Sequence, residues 1–212
     1  MNDHLYMEKK PWGMKLAKLI TNLINPPLVA GVGVFILAAW LGGGLAYGWA
    51  VFFVIVVAAM PTLYTVWLLK RGKVEAFFLP KRENRIRVIV VMVITNTIGV
   101  VVMFLGKAPF IMIAFGAVGI LQSVMILVIT FYWKISAHMI GISGLSTFMA
   151  IAFGGWGTLA LLMIPLVAWA RLHLGSHSYS QVLGGVILGS TFVGTATLLI
   201  SNFCGGIGLT CR

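Results

Sequence analysis

Residues 108–133, APFIMIAFGAVGILQSVMILVITFYW, contain no aspartate, glutamate, lysine or arginine. About 20 apolar residues suffice to cross the hydrocarbon core of a bilayer as an α-helix, and a soluble core helix needs far fewer. Other uncharged runs cover residues 19–69, 88–106, 135–170 and 172–211. These runs lack the alternating pattern of a membrane β-barrel. The sequence therefore predicts an all-α, polytopic membrane helical bundle.

Working outward from this run, turn residues and short polar stretches divide the chain into about six to seven transmembrane helices. An amphipathic pattern over residues 12–25 predicts an interfacial helix that leads into the first span, and Asn25-Pro26-Pro27 is expected to kink or interrupt it. With no repeat and no long linker, residues 1–212 are interpreted as one membrane domain with an N-terminal interfacial segment at 1–25. The first span is predicted to end near residue 41. The following spans are predicted near residues 45–69, 88–105, 110–132, 139–153, 158–170 and 179–203.

Three polar segments interrupt the apolar runs. The first comprises residues 81–87, the second residues 134–138 (KISAH) and the third residues 171–181 (RLHLGSHSYSQ). Two predicted spans separate the first segment from the second, and two more separate the second from the third. Because an even number of crossings returns the chain to the same side, all three segments are expected on one membrane face, where they can form one site.

The distribution of positive charge predicts which face this is. Thirteen of the fifteen lysines and arginines lie on the face of the polar segments, and Lys107 and Arg212 lie opposite. When the five basic candidate site residues are left out, eight lysines and arginines remain on this face and two on the other. The positive-inside rule therefore predicts a multi-pass protein of the cell (inner) membrane with its site facing the cytoplasm. The net charge of +11 is interpreted as orienting the protein and attracting anionic lipid heads, and not as a nucleic-acid surface.

The residue types in the three segments favour a phosphate ligand. Arginine, lysine and histidine gather there with almost no acid, and planar guanidinium groups bind phosphate through paired hydrogen bonds. The sequence has no carboxylate cluster to hold magnesium and no cysteine near the histidines, so we predict neither a metal nor another cofactor. These residues predict metal-free phosphoryl transfer through a histidine nucleophile, with a second histidine as general acid.

The order of the segments also resembles a known family. A basic cluster, then Lys134-Ile135-Ser136-Ala137-His138, then Arg171 with His177 six residues later, resembles the type-2 phosphatidic acid phosphatase superfamily, which shares its fold with vanadium haloperoxidases. The resemblance covers residues 80–185. It implies a phosphatidic acid phosphatase-like core and a lipid phosphatase that acts through a phosphohistidine intermediate. The substrate that it implies is a prenyl phosphate or diphosphate, or a lipid of the phosphatidic acid type.

The resemblance implies that His177 is the nucleophile, His138 the general acid and Arg171 a phosphate-binding residue. Gln181 replaces the aspartate that orients the nucleophile in the third motif of this family, and an amide can hold one imidazole tautomer but does not stabilise the imidazolium as a carboxylate does. Residues 178–181 (SYSQ) also fit a helix-capping box. Two alternatives stay open: an active lipid phosphatase, or a catalytically degenerate accessory subunit that binds lipid anions in a membrane complex.

Four further basic residues are candidates for phosphate binding. Arg87 best matches the arginine of the first motif of the family, with Arg82 and Arg85 as alternatives, and Lys134 could reach phosphate from the second segment. The arginines could instead be present because they orient the protein in the membrane and attract lipid head groups. Lys134 could instead be a lysine at a span end whose side chain extends to the membrane surface. The predicted partners are a lipid phosphate substrate and the bilayer, with other membrane proteins in the accessory alternative and without nucleic acid.

Overall fold

The computed structural model describes residues 11–74 and 82–203. Lys81, Cys204 and Cys211 lie outside these ranges. A π-helical stretch, Val54–Ala59, and a 3₁₀ stretch, Gly154–Leu162, connect some of the α-helices. In chain order the α-helices of the described residues are α1 (Pro11–Leu23), α2 (Pro26–Leu41), α3 (Gly44–Phe53), α4 (Met60–Lys70), α5 (Arg82–Leu105), α6 (Phe110–Tyr132), α7 (Ala137–Phe153), α8 (Met163–His173) and α9 (Tyr179–Phe203).

The predicted all-helical membrane protein is confirmed, with a somewhat smaller number of spans. By length and composition, five helical runs in the described residues can cross a membrane, and the bent pair α1 and α2 raises this number to six. The prediction of six to seven differs because the spans expected at 139–153 and 158–170 are not separated by an irregular turn. Helical residues join them, so Ala137–His173 forms one run of 37 residues.

This 37-residue run is folded back on itself. A straight helix of that length would separate its ends by about 55 Å. Instead, the hydroxyl of Ser146 in α7 donates a hydrogen bond to the carbonyl oxygen of Ala160 at 2.8 Å, and Met139 near the start of the run packs in one hydrophobic cluster with Ala170 near its end. The reversal begins at Gly154, whose φ of 57° favours glycine. The second and third polar segments are therefore at the same end of the bundle.

The N-terminal helices bend where the sequence predicts. The axes of α1 and α2 differ by 48°. Asn25 lies at the break, and its side-chain oxygen accepts a hydrogen bond from the backbone N–H of Leu28 at 2.9 Å, which caps α2. Pro26 and Pro27 occupy the first turn of α2, where a missing N–H costs nothing. The predicted interruption at residues 25–27 is confirmed.

Helix α7 is packed tightly against α9 through glycines. A Cβ atom on Gly185 of α9 would lie 2.7 Å from the Cβ of Met139 and 2.8 Å from the carbonyl oxygen of Ser136. From the other side, a Cβ on Gly144 of α7 would lie 2.9 Å from Val193. Small residues at such crossings let two membrane helices approach closely. This contact fixes the start of α9 beside the start of α7.

The outer surface of the bundle is apolar and the few polar contacts in the spans are internal. On α6, Leu121 is 61% exposed and Val128 is 50% exposed, as expected for side chains that face lipid. Inside, Asn96 Nδ2 of α5 donates a hydrogen bond to the hydroxyl of Ser123 of α6 at 3.2 Å. Such interhelical hydrogen bonds help membrane helices associate.

The α7–α9 contact is testable with two glycines. A Cβ on Gly189 would collide with the carbonyl oxygen of Ile140 and the hydroxyl of Ser143, whereas a Cβ on Gly48 in α3 meets nothing within 4 Å. We expect Gly189→Ala to lower the free energy of unfolding by about 1–3 kcal/mol through overpacking, and Gly48→Ala to leave it nearly unchanged. Thermal unfolding in detergent measures both. Equal melting temperatures for the two variants would contradict the described packing.

Candidate functional site

The second and third polar segments are joined by direct hydrogen bonds. The backbone N–H of Ser136 donates to the carbonyl oxygen of Gln181 at 3.4 Å. Lys134 Nζ donates to the carbonyl oxygen of Ser176 at 2.9 Å. The loop before α7 is thus fixed to the loop before α9, and the side chains of both loops share one polar region at the end of the bundle.

His177 is held in one orientation by Gln181. The Nδ1 atom of His177 lies 3.2 Å from the side-chain oxygen of Gln181, and the backbone N–H of Ser178 donates to the same oxygen at 3.2 Å. Because a backbone N–H is always a donor, the atom that it meets is the amide oxygen and not the amide nitrogen. An amide oxygen only accepts, so Nδ1 of His177 carries the proton. The Nε2 atom then keeps its lone pair, as a nucleophilic imidazole requires.

Gln181 also completes the predicted capping box. Its backbone N–H donates to the hydroxyl of Ser178 at 3.4 Å, while its side-chain oxygen accepts from the backbone N–H of Ser178. These are the two reciprocal bonds of a capping box at the start of α9. The amide oxygen therefore serves the helix terminus and the histidine together, and the two roles proposed for Gln181 coexist.

Arg171 lies at the centre of the charged groups. It is at the end of α8, only 4% exposed, and it interacts electrostatically with Lys134, His138 and His177. Of the four acidic residues in the chain, Glu83 is the one within the described ranges, and its side chain is exposed. The described part of the site thus concentrates positive charge with little carboxylate to balance it, which favours an anionic ligand.

The electrostatic environment keeps His177 uncharged near neutral pH. Burial, and after it the positive charges of Arg171 and Lys134, lower its pKa from the usual 6.5 to about 4, while the hydrogen bond to Gln181 acts in the opposite direction. The pKa of Lys134 is also lowered, first by burial and then by the charges of Arg85 and Arg171. A bound phosphate would relieve this mutual repulsion.

His138 is buried in the first turn of α7 and is in contact with α1. It is 6% exposed, its ring hydrogen-bonds to the backbone of Thr21, and it is close enough to His177 to interact electrostatically with it. The sequence pattern indicated no site residue on α1. The signal that could have found this contact is the spacing of Gly13, Ala17 and Thr21, small buried residues four apart, which lets α1 approach closely.

The structure brings Arg85 into the site in place of Arg87. Arg85 is half-buried and its charge acts on both Lys134 and His177. Arg87 is exposed, because two residues along a helix correspond to a rotation of about 200°. Arg82, on the same face as Arg85, donates through Nη1 to the carbonyl oxygen of Phe131 at 2.6 Å and joins α5 to the end of α6. This geometry favours Arg85, one of the alternatives considered, over Arg87 as the arginine that α5 contributes to the site.

A cavity of about 380 Å³ opens between α1 and the loop before α9. Arg171 and Ser176 line one side, and Lys18, Thr21 and Asn22 of α1 line the other. Within residues 11–74 and 82–203, no three His, Cys, Asp or Glu side chains are grouped as ligands for a metal ion. The expectation of a site without metal or cofactor stays a prediction.

No protein-family model, curated protein or solved structure matches this chain significantly.

The pKa of His177 provides a direct test of the site electrostatics. Lys134→Met removes one like charge, so the pKa of His177 should rise from about 4 towards 6.5 without reaching it, because burial remains. Histidine ¹⁵N NMR measures the titration, and His177→Asn assigns the signal. Lys107→Met, at the opposite end of the bundle, is the control. No rise in Lys134→Met, or an equal rise in Lys107→Met, would contradict the arrangement.

The same pKa shift implies a pH-dependent stability. Between about pH 6.5 and pH 4 the unfolded chain takes up a proton at His177 that the folded chain does not. Folding stability should therefore decrease as the pH falls through this window, and His177→Asn should show a smaller decrease. Melting temperatures measured across this range in one detergent provide the comparison.

Proposed function

We propose that this protein is an integral-membrane, metal-independent lipid phosphate phosphatase that forms a phosphohistidine intermediate. The observation that carries the proposal is the contact of His177 Nδ1 with the Gln181 amide oxygen at 3.2 Å. It fixes the proton on Nδ1 and leaves Nε2 as the attacking atom. The buried Arg171 and the second imidazole of His138 lie beside it, which are the groups that phosphoryl transfer needs.

The proposed reaction begins with phosphate binding. Arg171, Arg85 and Lys134 contact the phosphate oxygens and hold phosphorus in line with Nε2 of His177. The Nε2–phosphorus bond forms while the bond from phosphorus to the lipid oxygen breaks. The bound anion favours the imidazolium form of His138, which gives its proton to the departing lipid oxygen and so releases a lipid alcohol.

Water completes the reaction. Neutral His138 accepts a proton from the water as the water oxygen attacks phosphorus, and the Nε2–phosphorus bond breaks. Inorganic phosphate leaves and His177 returns to its neutral form. Gln181 accepts the Nδ1–H throughout, but a neutral amide stabilises the cationic phosphohistidine less than a carboxylate does.

Three finer assignments belong to the same proposal. The resemblance of residues 80–185 to the type-2 phosphatidic acid phosphatase superfamily supports a phosphatase-like core. The excess of basic residues on the side of the polar segments supports a cytoplasmic site in the cell (inner) membrane. The substrate class is a phosphate or diphosphate monoester of a lipid, of the prenyl or phosphatidic acid type.

The nucleophile is tested by a pair of histidine variants. Purified protein should release inorganic phosphate from a lipid phosphate in EDTA, and His177→Ala should lower the rate about 1000-fold or more. His173 stacks on Trp169 with ring centroids 5.1 Å apart, so His173→Phe keeps the stacking and should retain most activity. An acid-labile ³²P label should be trapped on the wild-type protein and not on His177→Ala. Release that survives His177→Ala would refute the assignment.

Arg85 and Arg87 of α5 form a matched pair. Arg85→Met should lower kcat/KM about tenfold or more, as expected for the loss of a charge-assisted hydrogen bond to phosphate. Arg87→Met removes the same charge from the same helix but from its exposed side, and should change kcat/KM much less. Steady-state kinetics with one lipid phosphate decides between them. A larger effect of Arg87→Met would restore the assignment made from the sequence.

The alternative is a catalytically degenerate accessory subunit that binds lipid anions. The observation that favours it is the complete capping box, because Gln181 has a structural role that needs no catalysis. Gln181→Asp separates the two. A recently inactivated enzyme should gain phosphate release, whereas an enzyme adapted to glutamine should gain little over an already active wild type. Co-purification with membrane proteins in constant ratio, with both forms inactive, would support the accessory function.

A further inference from the structure

A second, partly open cavity lies between helices of the bundle, below the candidate site. It has a volume of about 210 Å³ and lies between α2, α6 and α7, with contributions from α3 and α9. Its lining is aliphatic, aromatic or glycine, and Gln122 of α6 is the one polar side chain that lines it. Along α7 it extends from Ile140 to Phe148, a distance of about 12 Å.

This cavity continues the face of α7 that carries His138. Gly141 and Leu145 line the cavity, and they follow His138 by three and seven residues, which places all three on one side of the helix. At the upper end, a Cβ on Gly141 would lie 3.6 Å from Val29 and 4.0 Å from Pro26 of α2. The cavity thus begins about one helical turn from the imidazole that would protonate the lipid oxygen.

The lining favours a hydrocarbon occupant over water. A buried water needs two to four polar partners, and apolar cavities of about 150 Å³ stay dry and bind molecules such as benzene. Within the described residues, Gln122 Nε2 is buried without a hydrogen-bond partner, so the cavity wall supplies little else for a water to bind. The volume is suited to a segment of one hydrocarbon chain, and two chains side by side would exceed it.

We propose that this cavity binds the hydrocarbon chain of the lipid phosphate, in the segment next to the leaving oxygen, and that it selects lipids with a single chain over diacyl lipids. The proposal rests on the function proposed above and names the substrate class: prenyl-type or single-alkyl phosphate monoesters. The phosphate is at Arg171 and His177, the leaving oxygen at His138, and the chain runs down the face of α7 between α2 and α6.

Gly119 of α6 offers a sharp test. It lines the cavity, and a Cβ there meets nothing within 4 Å, so the side chain of Gly119→Leu can start without a backbone collision and extend into the cavity. Gly48→Leu is the matched control, because Gly48 is exposed on α3 and its Cβ also meets nothing within 4 Å. The substrates are farnesyl phosphate, whose chain reaches the cavity, and phenyl phosphate, whose ring ends near the leaving oxygen.

We expect Gly119→Leu to lower kcat/KM for farnesyl phosphate about tenfold, the loss expected when about two buried methylene groups are displaced. The value for phenyl phosphate should stay unchanged, and Gly48→Leu should change neither. An equal decrease for both substrates, or no decrease for farnesyl phosphate, would overturn the proposal. Wild-type protein should also hydrolyse farnesyl phosphate faster than a diacyl glycerol phosphate, and the reverse order would overturn the single-chain selectivity.

A binding measurement makes the proposal independent of turnover. A farnesyl phosphate analogue with a photoreactive diazirine in its chain is cross-linked to full-length His177→Ala protein in detergent. Labelled peptides from α6 and α7 that disappear when Gly119→Leu is added support the chain site even if the protein hydrolyses nothing. Labelling that is absent from these helices, or that persists in the filled variant, refutes the chain site whatever the fate of the proposed phosphatase.

Discussion

The close approach of α7 and α9 is the constraint on which the site depends. Gly144, Gly185 and Gly189 remove the side chains that would separate the two helices. Only at this separation does the backbone N–H of Ser136 reach the carbonyl oxygen of Gln181. The start of α7 with His138 and the loop with His177 are thereby fixed relative to one another, so that the two imidazoles and Arg171 interact as one group.

Positioning charge in this way has an energetic consequence. Arg171 is almost fully buried, and the positive charges of Arg85 and Arg171 both act on Lys134. Like charges in a poorly solvated region repel one another, and a bound anion reduces that repulsion. The helix packing that supports the site therefore also holds these charges close together, and in the proposed function phosphate binding would relieve part of their repulsion.

Much of the architecture followed from the sequence because long uncharged runs leave few alternatives. The break at residues 25–27 and the capping box at 178–181 could be predicted because Pro, Asn, Ser and Gln act on the backbone within a few residues. The rotation of a helix about its axis is harder to predict. Arg85 and Arg87 have the same chemistry, and an almost uniformly apolar helix such as α5 gives no pattern that says which of them faces inward. The contact of Thr21 with His138 was missed for a related reason, since it depends on α1 packing onto α8 and not only on its amphipathic pattern.

The cavity between α1 and the loop before α9 has a consequence for the end of the proposed cycle. In the proposed cycle, free inorganic phosphate would carry a charge similar to that of the monoester group that entered, so Arg171 and its neighbours would also attract the product. Its departure would then depend on hydration. Lys18 and Asn22, both exposed, line the side of this cavity formed by α1 and would give water access to it. In such an enzyme the lipid alcohol returns to the bilayer while the ion leaves past α1, so the two products separate along different routes.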